Sequence, residues 1–388
     1  MIGQRTDSLR QELRETTWLE RKYHRNLAWN KNRPVLGEII DNEFYTPEFV
    51  KTKAKELKKK SLSINEFQQL QNAFLQSKEN ISAFFSIDNI LDALVRELSG
   101  NNPECQLAAA SCCCNLALGN TKTCTALAKA TVPYLLATSS SINFNLVDIC
   151  IWTIGNLAAG SEKAFKILYA QDCLRILVSL LQRCDLVLLP SVIYAIMHFT
   201  YIGYKYIQDS EMIDVTRATI QRYTHYLDPN MIWLLAILSS KSTCIEYILP
   251  LLPSLVEWLH VAVRTESSDV LYTTGVVWIL GNIVSETSGE AANILLNNRQ
   301  YSDGEMKLLL DKLLRHQHTH LRRETLWLIG NLYNHSIPQL GGRIRALIFG
   351  LSSLRMAAFS IGASFQTIKT ASVACAEWRM CLRSDKQK

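Results

Sequence analysis

The sequence predicts an all-α array of about six repeats, on three observations. Gly and Pro are sparse, 16 and 9 in 388 residues, too few turn formers for a many-stranded β-architecture. One motif recurs as Trp152-Thr-Ile-Gly-Asn156, Trp278-Ile-Leu-Gly-Asn282 and Trp327-Leu-Ile-Gly-Asn331. A copy without Trp ends at Asn115, and two degenerate copies end at His198 and Ile237. The closing positions of these copies lie 41, 42, 39, 45 and 49 residues apart, the length of a two- or three-helix repeat.

Each repeat has the same internal layout. In the second, Val132-Pro-Tyr-Leu-Leu reads as an apolar helix, the polar stretch from Ser139 to Asn143 as a turn, and Leu146 to Ala159 as a long helix. Apolar residues at helical spacing, among them Ile149, Trp152 and Leu157, run through that last helix. Pro103, Pro133 and Pro253 are expected near helix starts, where a missing N–H costs nothing. Because each repeat buries its apolar side only against its neighbours, the first and last need caps.

Composition bounds the rest. Apolar residues make up 48% and charged residues 20%, ordinary for a globular chain. The 11 cysteines are odd in number, form no C-x-x-C pair and follow no secretory leader. They are expected to be reduced thiols in the cytoplasm or nucleus. Residues 1–60 carry 14 Lys/Arg against 9 Asp/Glu and residues 341–388 carry 8 against 2, so two basic ends flank a mildly acidic body. No phosphate-binding loop, dinucleotide fingerprint, G-x-S-x-G or H-E-x-x-H occurs. A non-enzymatic chain without cofactor or metal is expected, with no nucleic-acid partner. His316, His318 and His320 fall between predicted helices and would not share a face on a helix. Cys112-Cys113-Cys114 lacks zinc spacing and reads as small core residues.

The segment Val132–Ser161 resembles an armadillo repeat of the importin-α type, and Val277–Ser288 and Arg322–Asn331 resemble later repeats of that family. The resemblance spans roughly residues 80–335. It implies an armadillo-repeat, right-handed superhelical solenoid over residues 63–339. A basic N-terminal helical segment would precede it at 1–62, and a cap or tail would follow at 340–388. It also implies that Trp/Asn pairs line a concave groove that holds an extended basic peptide, a nuclear localisation signal. The residues so assigned are Asn115, Trp152, Asn156, Trp278, Asn282, Glu286, Trp327 and Asn331.

The physics of such a groove does not depend on the family. An extended peptide has unpaired backbone N–H and C=O groups, and an Asn amide offers both a donor and an acceptor. Trp rings can flank Lys or Arg stems, with cation–π attraction of about 0.5–2 kcal/mol each. For a single Trp/Asn pair, packing of the Trp in the core with the Asn bonded to a local carbonyl is the simpler alternative. Departures from the family pattern interrupt the ladder. Four residues after the Asn, where the family often places an acid, stand Gly160, Glu286 and His335, so only Glu286 is charged. Asp148 and Glu324 are candidates to share the groove edge. With His198 and Ile237 in the middle, one site is expected at Asn115/Asn156 and another at Asn282/Asn331.

At the N-terminus Arg10, Arg14, Arg21, Lys22 and Arg25 occupy the location where the family carries a helix that binds importin-β. Asp7, Glu12, Glu15 and Glu20 dilute that charge, and a solvated helix or short coiled coil is the alternative. The run Lys51–Lys60 reads as a solvated linker, or as a pseudo-substrate for the groove. Leu186–Tyr204 is long enough to span a membrane, but Pro190 and His198 and its place in the repeat register make it core. Ala346–Ala363 is apolar with Arg355 in its middle, and reads as a capping helix on the last repeat rather than a membrane span.

Overall fold

The computed structural model describes residues 43–223, 229–265, 269–286, 289–296, 302–333 and 338–353. Every regular element among them is helical. Two compact units divide the chain, and their described parts run 43–222 and 223–353. Arg10, Arg14, Arg21, Lys22, Arg25, His335 and the tail beyond residue 353 lie outside the described residues.

In the first unit the helices are α1 Pro47–Lys59, α2 Ile64–Gln76, α3 Lys78–Phe85, α4 Ile90–Leu98, α5 Pro103–Leu116, α6 Thr121–Ala137, α7 Phe144–Gly160, α8 Glu162–Tyr169, α9 Cys173–Arg183 and α10 Leu189–Gly203, followed by α11 Asp209–Tyr223. The second unit holds α12 Pro229–Leu238, α13 Ser242–Ile248, α14 Leu252–Arg264, α15 Val270–Ile283, α16 Glu290–Leu296, α17 Asp303–Leu314, α18 Thr319–Tyr333 and α19 Pro338–Phe349. A short, a medium and a long helix make one repeat, as in α3–α4–α5, α8–α9–α10 and α16–α17–α18. The long third helices pack on one another within each unit, α2 to α5 to α7 to α10, and α12 to α15 to α18.

Local chemistry sets these boundaries. Asn102, Asn120 and Asn143 each accept a backbone N–H in the first turn of the helix that follows, satisfying donors that the helix itself leaves open. Pro103 and Pro253 stand at helix starts as expected. Pro133 does not. It lies inside the 17-residue α6, because the first and second helices of that repeat are fused into one.

The run Lys51–Lys60 is not a linker. It forms most of α1, whose Val50, Ala54 and Leu57 recur at helical spacing and are fully buried, facing α3 and α4. Its lysines face outward or toward acids: Lys53 Nζ lies 2.7 Å from Glu66 and 2.9 Å from Glu56. Glu66 also closes a capping box with Ser63. The Lys53 hydrogen bond, with the Ser63 backbone and hydroxyl donors, holds the Glu66 carboxyl down at about 2. A carboxyl depressed in the folded state stabilises it above its unfolded pKa, and loses that contribution as pH falls through the folded value. Urea midpoints of the wild type should therefore fall from pH 5 toward pH 2 more steeply than those of Glu66→Gln.

Among the described residues the last helix, α19, packs on α17 and α18, with Leu340, Ile344, Leu347 and Ile348 buried. Arg343 Nε grips both Asp303 oxygens at 3.0 Å. The helix covers the start of the expected Ala346–Ala363 and runs to Phe349, and the part of that stretch beyond residue 353 lies outside the described residues. Most of the apolar run Leu186–Tyr204 forms α10, in which every residue from Ser191 to Tyr201 is buried, while Leu186 and Val187 are exposed in the turn before it. By length and hydropathy one described run, Ser242–Arg264, could cross a membrane, but the 3-10 turn Leu249–Leu251 divides it.

Candidate peptide-binding face of the third helices

The four Asn residues of the motif make one recurring contact. Each amide nitrogen reaches back to a carbonyl of the preceding third helix. Asn115 Nδ2 donates to Gln71 O at 3.2 Å, Asn156 Nδ2 to Cys114 O at 3.4 Å, Asn282 Nδ2 to Ala236 O at 3.1 Å and Asn331 Nδ2 to Gly281 O at 2.7 Å. In each case the acceptor is the residue just before the equivalent position one repeat earlier. The Asn row therefore staples repeat to repeat, whatever else it does.

The same register explains the Gly before Asn156 and before Asn282. A Cβ on Gly155 would stand 2.7 Å from the Tyr194 ring, and one on Gly281 would stand 2.9 Å from Trp327. Tyr194 and Trp327 occupy the Trp position of the following repeat, so each aromatic ring rests on the Gly of the helix before it. The array also begins one repeat earlier than the motif indicated. Asn72 of α2 lies 43 residues before Asn115 and is buried in the same register. No aromatic residue precedes it at four positions, where Gln68 stands, so the sequence pattern passed over it.

The two expected sites differ in what remains open. Asn115 and Asn156 are 1% and 0% exposed. Asn156 is saturated: its Nδ2 also points at Cys114 Sγ at 3.3 Å, and its Oδ1 accepts from Tyr194 Oη at 2.8 Å. In the second unit Asn282 and Asn331 are half-buried, and each Oδ1 accepts from no group among the described residues. Asn156→Ala should lower stability by about 1–3 kcal/mol, since it leaves the buried Tyr194 hydroxyl and Cys114 carbonyl without their partner. Denaturant unfolding of the variant checks this.

The aromatic positions form close pairs. Trp152 and Tyr194 have ring centroids 4.2 Å apart, and Trp233 meets Trp278 edge-on at 5.5 Å. At these distances the rings touch and leave no gap for a Lys stem between them. Trp278 is buried, while Trp152 and Trp327 are half-buried. Of the acids, Glu286 is half-buried and Glu324 is buried. Asp148 accepts from the Ser191 hydroxyl, but burial outweighs that bond and pushes its carboxyl up. His198 meets Tyr194 edge-on with centroids 4.4 Å apart, and Ile237 is core.

Two other motifs settle differently. Cys112, Cys113 and Cys114 are buried in α5, where burial pushes the Cys114 thiol up to about 12 and away from thiolate chemistry. His316 and His318 lie in the short connector before α18 and His320 in its first turn. Their rings line up with centroids 5.4 Å apart. Among the described residues no group of three or more His, Cys, Asp or Glu is arranged to hold a metal ion.

No protein-family model matches the chain. Among solved structures, an engineered protein matches with a TM-score of 0.60 at 20% identity, covering 74% of this chain and 69% of that one. The fold is an all-α array of stacked helical repeats. A designed armadillo repeat protein also matches, with a TM-score of 0.43 at 15% identity over 73% of this chain and 99% of its own.

Proposed function

We propose that this protein is a non-enzymatic scaffold that holds an extended peptide along its stacked third helices. The observation that carries the reading is the pair Asn282 and Asn331. Each amide is fixed through its nitrogen to the preceding repeat, half-buried, with its oxygen unengaged among the described residues. Two fixed acceptors one repeat apart suit the N–H groups of an extended chain, each contributing on the order of 1 kcal/mol.

The finer reading is an importin-α-like adaptor of the cytoplasm and nucleus that binds basic peptides, with importin-β engaged through Arg10, Arg14, Arg21, Lys22 and Arg25. The repeated Trp-x-x-x-Asn register supports it. The closed contacts Trp152–Tyr194 and Trp233–Trp278 favour a second reading: a scaffold for another extended peptide, held by its backbone and without importin-β.

Fluorescence anisotropy with a lysine-rich 12-residue peptide and its Lys→Gln counterpart tests both. The wild type should bind, and Asn282→Ala with Asn331→Ala should weaken binding about 10–30-fold. Equal binding by both proteins would remove the peptide role of the Asn pair. Preference for the lysine-rich probe supports the adaptor, and indifference to charge supports the second reading. Pulldown of importin-β by the full chain, with and without charge reversal at the five N-terminal residues, decides the remaining partner.

A further inference from the structure

The motif repeats, but the residue at its aromatic position changes what the preceding Asn can do. At position 194 the aromatic is Tyr. Its ring rests on Gly155, and its hydroxyl, carried along the ring axis, reaches the Asn156 oxygen at 2.8 Å. Asn156 is then used at both ends, toward Cys114 by nitrogen and Tyr194 by oxygen, and has no exposed surface. At the equivalent position of the last repeat the aromatic is Trp327. Its ring rests on Gly281 in the same way, but an indole carries its N–H on the ring flank and has no axial hydroxyl. Asn282 bonds Ala236 and Ser239 through its nitrogen and leaves its oxygen open among the described residues.

We infer that Tyr194 closes the Asn156 rung of the first unit to peptide backbone, while burial closes Asn115, so that Asn282 and Asn331 of the second unit hold the ligand alone. This inference rests on the peptide-binding reading above and narrows it. The ligand is a short extended segment read by two Asn rungs, not a long or bipartite one that also spans Asn115 and Asn156. The ring contact between Trp152 and Tyr194 at 4.2 Å closes the same place to a side-chain stem. Tyr194 is thus a positioning residue, acting through Asn156.

The test uses the full-length protein and the same two 12-residue probes, lysine-rich and Lys→Gln, each with a central benzophenone photo-crosslinker. Crosslinks are expected on α15 and α18 and not on α5 or α7. Asn156→Ala and Tyr194→Phe should each leave affinity within about twofold, while Asn282→Ala with Asn331→Ala loses about tenfold or more. Tyr194→Phe keeps the ring on Gly155 and covers the case in which Asn156→Ala does not fold. Wild-type crosslinks on α5 or α7 would overturn the inference and leave the peptide scaffold standing. So would a fivefold or greater loss in Tyr194→Phe. If neither probe binds or crosslinks, the scaffold reading falls and this inference with it.

Discussion

Phe165→Ala is expected to lower stability by about 3–5 kcal/mol, the cost of emptying a fully buried aromatic site. Phe165 sits on the short helix α8 and is 0% exposed. Its ring is walled by Tyr169 at 5.6 Å, Phe199 at 4.8 Å and Tyr206 at 6.0 Å between centroids. The backbone of Gly203 closes the remaining side, where a Cβ would stand 2.5 Å from the ring tip. These partners come from α8, from α10 and from the turn after it, so one side chain holds the first and third helices of its repeat together. Collapse cannot fill the space, because helices fixed by neighbouring repeats cannot close in. In a repeat array such damage is felt first by the repeat that carries it and its neighbours. Urea unfolding should show an earlier transition, and hydrogen exchange should show α8 to α10 losing protection first. Unchanged protection there would contradict the assigned role.

Gly155→Val is expected to cost about 2–4 kcal/mol, from overpacking and a strained Tyr194 hydrogen bond. On an exposed helix, replacing Gly would instead favour the helix, since Gly is among the weakest helix formers. The sign reverses because the new Cβ meets two atoms of the Tyr194 ring at 2.7 and 2.8 Å and the Ala195 backbone at 3.2 Å. Tyr194 has little freedom to retreat. Trp152 lies against one side, His198 against another, and its hydroxyl is tied to Asn156. The third helices α7 and α10 must therefore move apart. Thermal unfolding of Gly155→Val and Gly155→Ala, both below wild type and Val lower, is the expected order. A Gly155→Ala variant more stable than wild type would show that the contact yields.

The repeats were legible because their signals are local. The Trp and Asn four residues apart, the apolar spacing of each helix and the period of about 40 residues are all read along the chain itself. The third helices followed directly, as did the buried α10, which hydropathy alone leaves open to a membrane reading. Three points were not legible. Lys51–Lys60 looks like a linker because six lysines outweigh two apolar residues, yet burial of Ala54 and Leu57 together with Val50 makes it a helix. Pro133 looks like a helix start, and the fused α6 carries it inside. Asn72 lacks the aromatic residue that flags the other rungs.

The candidate site divides along the same line. The sequence by itself determined which residues share a helix face, because that follows from 3.6 residues per turn. It could not decide which way an Asn amide spends its donor and acceptor. Asn156 and Asn282 stand in the same motif, each after a Gly and four residues after a Trp. Their different states come from residues about 40 positions away, Tyr194 against Asn156 and Ser239 against Asn282. A hydrogen bond of that kind exists only once neighbouring repeats have packed, and only the tertiary structure decided which Asn oxygens were already taken.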